Sequence, residues 1–293
     1  MATEATPLSG EFHTVLVTGA RGMLGGDLCE ALAREHEVIG VDLEDFDITN
    51  AASVGHGIAA ARPEMVIHCA AWTDVDGCER DPARAFEQNA GGTWNVAAAA
   101  AEVGASLVYM STDFVFDGTK GEAYTEFDAP NPLSVYGASK LAGEEAVRRL
   151  VPRHTIVRAA WLFGRRGKNF VSSILKAAAE RGEIDVVADQ FGSPTYTRDL
   201  AQAMADLVVT GRLFPGTCHL VNSGVCSWAE LAEEALRAAG SKTRVRPIPA
   251  AAWPSPTRRP AYSGMVSRWL ELQGLPAMRE WREAVRSYVE EAV

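Results

Sequence analysis

Five short apolar runs recur through the first half of the chain: His13 to Val17, Val38 to Val41, Met65 to His68, Leu107 to Met110 and Thr155 to Val157. They are continuous rather than alternating, which is how strands covered on both faces read. Between the first two runs, Leu24, Leu28 and Leu32 recur four apart and mark one face of a helix. Alanine-rich stretches over Pro82 to Val103 and Ser134 to Leu150 supply later crossover helices. Strand and helix in alternation predict an α/β fold built on a doubly wound parallel sheet with right-handed crossovers.

The second half is less regular. Polar, glycine-containing loops surround Arg165 to Asn169 and Asp189 to Thr195, and prolines gather at Pro247, Pro249, Pro254, Pro256 and Pro260. A strand over Cys218 to Val221 and a helix over Trp228 to Ala239 stand among them. The pattern divides the chain into a disordered leader (1–11), a nucleotide-binding layer (12–164, with 196–224 returning to it) and a smaller C-terminal lobe (165–195 and 225–293). The segments Arg165 to Thr195 and Trp253 to Arg268 are expected to close the cleft between layer and lobe.

Composition narrows the function. The 293 residues are 47% hydrophobic and 23% charged, ordinary for a folded chain able to bury a large core. A net charge of -10 argues against a nucleic acid partner, which needs a clustered basic face. No apolar run reaches the ~18–20 residues that span a bilayer, so no membrane partner is expected. The first ten residues include Glu4 and lack the apolar segment of a signal peptide. Cys29, Cys69, Cys78, Cys218 and Cys226 are scattered without a C-x-x-C pair, as reduced thiols of a cytoplasmic protein would be. Neither they nor the six histidines have ligand spacing, so no metal is assigned.

Two segments carry chemistry. Thr18-Gly19-Ala20-Arg21-Gly22-Met23-Leu24-Gly25 follows the first strand and opens the first helix. Its glycines serve the tight turn, the close approach of a pyrophosphate and close helix-to-strand packing, while the helix start at Met23 and Leu24 offers free N–H groups to phosphate. This is a Rossmann-type dinucleotide turn, and its three-residue glycine spacing resembles the extended short-chain dehydrogenase/reductase family. Asp42 ends the second strand, where a carboxylate accepts ribose hydroxyls; Arg21 offers a guanidinium to a 2′-phosphate. The choice between NADH and NADPH stays open.

The second segment is Tyr136-Gly137-Ala138-Ser139-Lys140, whose tyrosine and lysine share a helix face. An ammonium beside the phenol is expected to lower its pKa from about 10 and ready it for proton transfer. Ser111-Thr112-Asp113 ends the fourth strand, where active sites of open α/β sheets form, and the Thr112 hydroxyl is assigned to the substrate oxygen. Asn89 is assigned to a supporting proton relay. Thr112, Tyr136 and Lys140 are the catalytic candidates.

A narrower resemblance rests on ordered segments. They are 69–79 (CAAWTDVDGCE), 111–118 (STDFVFDG), 136–144 (YGASKLAGE), 158–163 (RAAWLF), 189–195 (DQFGSPT) and 259–263 (RPAYS). Together they resemble the dTDP-4-dehydrorhamnose reductase family from Thr14 onward. The resemblance implies NAD(P)H-dependent reduction of the C4 ketone of dTDP-6-deoxy-L-lyxo-4-hexulose, with Thr112, Tyr136 and Lys140 in the catalytic positions. By the same resemblance Asp47, Ile48, Cys69, Ala70, Ala71, Thr73 and Trp161 line the cofactor. Val75 and Trp161 pack on the sugar, and Asp76, Asp113, Asn169, Phe170, Gln190, Arg259 and Ser263 face the rest of the substrate. Cys69 departs from the asparagine usual there. Some members form homodimers around magnesium; Asp27 and Asp199 stand at roughly corresponding places but fit equally as helix-start carboxylates, so magnesium and a homodimer are left open. Three alternatives share these motifs: another dTDP-deoxysugar 4-ketoreductase, a nucleotide-sugar 4-epimerase and a non-catalytic cofactor-binding regulatory subunit.

Overall fold

A computed structural model describes residues 14–213 and 216–292; the leader expected over residues 1–11, and His13, lie outside them. Six parallel strands form the central sheet: β1 (Thr14–Thr18), β2 (Glu37–Val41), β3 (Met65–His68), β4 (Ser106–Thr112), β5 (His154–Ala159) and, at one edge, Gly216–His219. The spatial order runs from Gly216–His219 through β5, β4, β3 and β1 to β2, with every ladder parallel. The chain reverses its direction of travel across the sheet between β1 and β3. Ligands of open α/β sheets bind beyond the strand ends at such a point.

The unbroken apolar runs have their reason in this sheet. Val15, Val17, Ile67, Val108, Met110 and Val157 face one layer, made by α1 (Met23–Leu32) and the helix Thr197–Val209. Their neighbours Leu16, Val66, Leu107, Tyr109 and Ile156 face the other, made by α2 (Ala51–Ala61), α3 (Gly92–Glu102) and α4 (Val135–Leu150). Both faces are covered, so no strand position can be polar by default.

One predicted helix is broken. The alanine-rich stretch from Pro82 forms a short helix, Pro82–Phe86, then a π-helical turn, Glu87–Gly91, before α3 begins. The turn brings Asn89 inward, where Oδ1 accepts from the Trp72 N–H (2.8 Å) and Nδ2 donates to the Trp72 carbonyl (3.1 Å) and Ser139 Oγ (3.0 Å). Gly92 suits the crowding that follows, because a Cβ there would sit 2.7 Å from Ile48 Cδ1.

The remaining chain packs beside the sheet's C-terminal edge. A parallel pair of strands, Glu183–Val187 with Arg244–Ile248, is covered by the helices Phe170–Glu180 and Trp228–Ala238. Trp281–Ala292 closes this lobe around the fully buried Trp281. The helix at Trp228 starts at a capping box between Ser227 and Glu230. Among the described residues no helix is long and apolar enough to cross a membrane, and the five cysteines are unpaired.

Candidate active site

A cavity of about 900 Å³ opens over the C-terminal ends of β1, β3 and β4. The glycine turn forms one wall. Gly19 takes φ +67°, and a Cβ there would lie 2.9 Å from the Ala70 nitrogen. A Cβ on Gly25 would lie 2.1 Å from the Gly19 carbonyl oxygen. The first turn of α1 has no side-chain cap, and Gly22, Met23 and Leu24 at its start line the same wall. An uncapped helix start of this kind suits an anion. Asp42 stands beside it, accepting from the backbone N–H of Arg21 (2.9 Å) and of Leu43 (2.8 Å). The guanidinium of Arg21 pairs with Glu44 on the surface, which weakens its offer to a phosphate. Asp47, Ile48, Cys69, Ala70, Ala71 and Thr73 continue the wall, as a dinucleotide would require.

Gly25→Ala tests this packing. Alanine favours helix by up to about 1 kcal/mol, but the clash with the Gly19 carbonyl outweighs that gain. The variant should lose about 1–3 kcal/mol in urea unfolding and bind NADPH at least tenfold more weakly; unchanged unfolding would show that the turn relaxes.

The opposite wall carries Thr112 and Asp113 from the end of β4, and Tyr136 and Lys140 from the first turns of α4. The Thr112 hydroxyl donates to Asp113 Oδ1 at 3.1 Å and accepts from the Phe114 N–H at 3.2 Å. Asp113 also accepts from Ser263 Oγ at 2.5 Å, and burial pushes its carboxyl up to about 6. α4 is held to the sheet by a buried network. Glu144 accepts from Ser111 Oγ (2.6 Å) and from Arg158 Nε and Nη2 (2.9 and 2.8 Å). Burial opposes the Glu144 charge, yet the hydrogen bonds and charge of Arg158 hold its carboxyl below the ordinary range. Thr112, Tyr136 and Lys140 are thus fixed relative to one another by residues one helical turn or one strand position away.

The Tyr136 shift runs opposite to the sequence expectation. Burial drives the phenol well above its ordinary value, with the Asp113 charge adding to the rise and the Thr112 bond opposing it. Burial also draws Lys140 down to about 7. Its Nζ lies over the Tyr109 ring, 4.3 Å from the centroid, a contact that favours the cation but does not offset the lost water.

Val75, Trp161 and Arg259 complete the cavity. Trp161 has φ +45°, an unfavourable backbone for a bulky residue. Its ring is held against Trp228, with centroids 3.4 Å apart and planes 4° apart, and beside Gly192, where a Cβ would lie 2.3 Å from the indole. Trp228 was not a sequence candidate; its capping box announces only a helix start. Arg84, Gln88 and Lys168 line the cavity as well and carried no motif.

Over residues 13–293 the chain matches the family model described as RmlD substrate binding domain. The chain belongs to the dTDP-4-dehydrorhamnose reductase family. A Bacillus anthracis dTDP-4-dehydrorhamnose reductase solved in complex with NADP is 42% identical, with a TM-score of 0.92 over 96% of this chain and 99% of that one. The Mycobacterium tuberculosis dTDP-4-dehydrorhamnose reductase is 41% identical over 95% of this chain and 93% of its own length. A Streptomyces niveus dTDP-4-keto-6-deoxy-D-glucose reductase is 40% identical over 92% and 94%.

In this dTDP-4-dehydrorhamnose reductase family member, six candidates lie off the first cavity. Asn89 is fully buried and spent on Trp72 and Ser139, so a relay through it would have to run behind the wall. Asn169 caps Phe170–Glu180, accepting from Ser172 N–H (2.9 Å) and donating to the Gly164 carbonyl (2.8 Å). Ser263 is buried beneath Asp113. Phe170 and Gln190 line a second cavity, also about 900 Å³, which meets the first at Trp228 and Arg259. Asp76 reaches neither cavity and bonds instead to Ser255, Thr257 and Arg259. Asp27 is held by Arg166 (2.6 Å) and Thr197 (2.6 Å), and Asp199 by Arg279 (2.7 Å) and Asn222 (2.9 Å), as structural carboxylates are.

Proposed function

We propose that the chain reduces the C4 ketone of dTDP-6-deoxy-L-lyxo-4-hexulose to give dTDP-L-rhamnose, using NADPH or NADH. The observation that carries this reading is that Thr112, Tyr136 and Lys140 line the same cavity as the glycine turn. When bound, the nicotinamide supplies a hydride to the carbonyl carbon. The protein's part is the proton and the geometry. The Tyr136 hydroxyl gives its proton to the C4 oxygen, and its raised pKa keeps that proton in place across the neutral range. The Thr112 hydroxyl donates to the same oxygen as charge develops on it. Asp42 takes the adenosine ribose, the start of α1 the pyrophosphate, and Lys140 the nicotinamide ribose.

The second cavity suits the nucleotide half of the substrate. Phe170, Trp228 and Trp253 give it aromatic walls; Arg246 pairs with Asp185 of the same lining, and Arg181 and Arg259 offer further guanidinium groups. A thymine ring stacks on such walls, and a diphosphate at the junction meets Arg259. Val75 and Trp161 then flank the sugar. The reading places the enzyme in the cytoplasm, where nucleotide sugars and reduced nicotinamide are made.

A second reading keeps the chemistry and changes the sugar: the Streptomyces niveus relative is named for a dTDP-4-keto-6-deoxy-D-glucose. The deciding experiment supplies each 4-ketosugar with NADPH or NADH, follows loss of reduced nicotinamide and identifies the product by NMR. Stoichiometric oxidation with the first sugar and a rhamno-configured product supports the proposal. Turnover only with the second sugar favours the alternative. Epimerisation without net oxidation, or tight coenzyme binding without turnover, would overturn both.

A further inference from the structure

One carboxylate of the cofactor layer holds an entire loop of the other lobe. Asp76 lies in the short helix Val75–Arg80 that follows β3. Its Oδ1 accepts from Ser255 Oγ (2.9 Å), Thr257 Oγ1 (2.7 Å) and Arg259 Nη2 (3.0 Å). Thr257 Oγ1 also lies 3.3 Å from the Val75 carbonyl oxygen, and Arg259 Nη1 donates to Ser255. Trp253, Pro254, Ser255, Thr257 and Arg259 of this loop all line the second cavity, and Arg259 lines both. Residues 253–259 belong to no helix or strand, so no repeating backbone ladder sets the shape of the loop, and these side-chain bonds anchor it to Asp76.

We propose that Asp76 is a positioning residue for nucleotide-sugar binding: it holds the 253–259 loop on the second cavity and fixes the Arg259 fork where the cavities meet, before the ligand arrives. The proposal rests on the reading of the second cavity given above. Two effects oppose each other. Asp76 offsets part of the Arg259 charge that a diphosphate would meet, which weakens binding. It also removes the need for the ligand to order a seven-residue loop, which strengthens it. Arg259 and Asp76 are about a third exposed, so their mutual attraction is screened and the ordering effect is the larger. Burial works against the Asp76 charge, but the bonds from Thr257 and Ser255 and the Arg259 charge hold its carboxyl below the ordinary range, ionised at neutral pH.

The test compares wild type, Asp76→Ala, Arg259→Ala and the double variant, measuring dTDP affinity by calorimetry beside kcat, KM and NADPH affinity. Asp76→Ala should weaken dTDP binding and raise KM by about tenfold, with kcat within about twofold and NADPH affinity unchanged. The double variant should be weaker than Arg259→Ala, but by less than the product of the two single losses, because Asp76 acts partly through Arg259 and partly through Ser255 and Thr257. A wild-type dTDP affinity in Asp76→Ala, losses that multiply in the double variant, or an equal loss of NADPH affinity would overturn the proposal alone. A wild-type enzyme that binds no dTDP would overturn the reading of the cavity and the proposal with it. Should Asp76→Ala fail to fold, Asp76→Asn keeps the volume and removes the charge. Trypsin should then cut after the exposed Arg258 several-fold faster than in wild type; an unchanged rate counts against the clamp.

Discussion

Tyr136→Phe is expected to lower kcat by about three orders of magnitude while NADPH affinity stays within about twofold. The ring itself stays well packed, edge-on to Phe114 at 5.6 Å and 75° between planes, so phenylalanine preserves the shape of the wall. Only the hydroxyl is lost, and with it the proton donor that the proposed mechanism places at the C4 oxygen. Thr112 remains to hydrogen-bond that oxygen but now has no phenol beside it. A positioned general acid contributes about 10²–10⁴-fold, which sets the size of the loss. Steady-state kinetics beside a fluorescence titration of NADPH would check it, and a variant keeping most of the wild-type kcat would remove Tyr136 from its role.

Lys140→Met separates two functions of one ammonium. Loss of the proposed contact with the nicotinamide ribose should weaken NADPH binding by about 10- to 100-fold and carry kcat down with it. The same substitution should change the pH dependence of stability in the coenzyme-free protein. Lys140 titrates at about 7 in the folded chain against 10.5 ordinarily, so between those values the unfolded chain binds more protons. Wild-type stability therefore rises with pH from about 7 toward 10.5, and below 7 the folded state carries the full burden of a buried charge. Methionine removes that burden. Relative to wild type, urea unfolding should find Lys140→Met more stable at pH 6 than at pH 9; equal differences at both would mean that Lys140 keeps an ordinary pKa.

The parts of this protein that could be read along the chain are those in which local spacing carries the physics. Apolar runs without alternation predict strands covered on both sides, and β1 to β5 lie on those runs. Gly19 needs a left-handed backbone and Gly25 a place without a Cβ, both demands of a single turn. Tyr136 and Lys140 share a face because a helix repeats every 3.6 residues. Where local pattern misled, a longer-range contact had intervened. Pro82 to Val103 looked like one helix, but the π-helical turn at Asn89 answers to Trp72 and Ser139. Asn169 and Ser263, assigned to the substrate by resemblance, also bond within the protein, to a helix start and to Asp113.

By itself, the sequence determined the order of strands and helices, the dinucleotide turn and the residue types that can move a proton. Tertiary structure alone decided how those groups behave. It raised the Tyr136 pKa and lowered that of Lys140, since burial depends on everything packed around them. It stacked Trp161 on Trp228 and tied Asp76 to Arg259 across 183 residues. No local spacing encodes such contacts, because they exist only once segments far apart in the chain pack together.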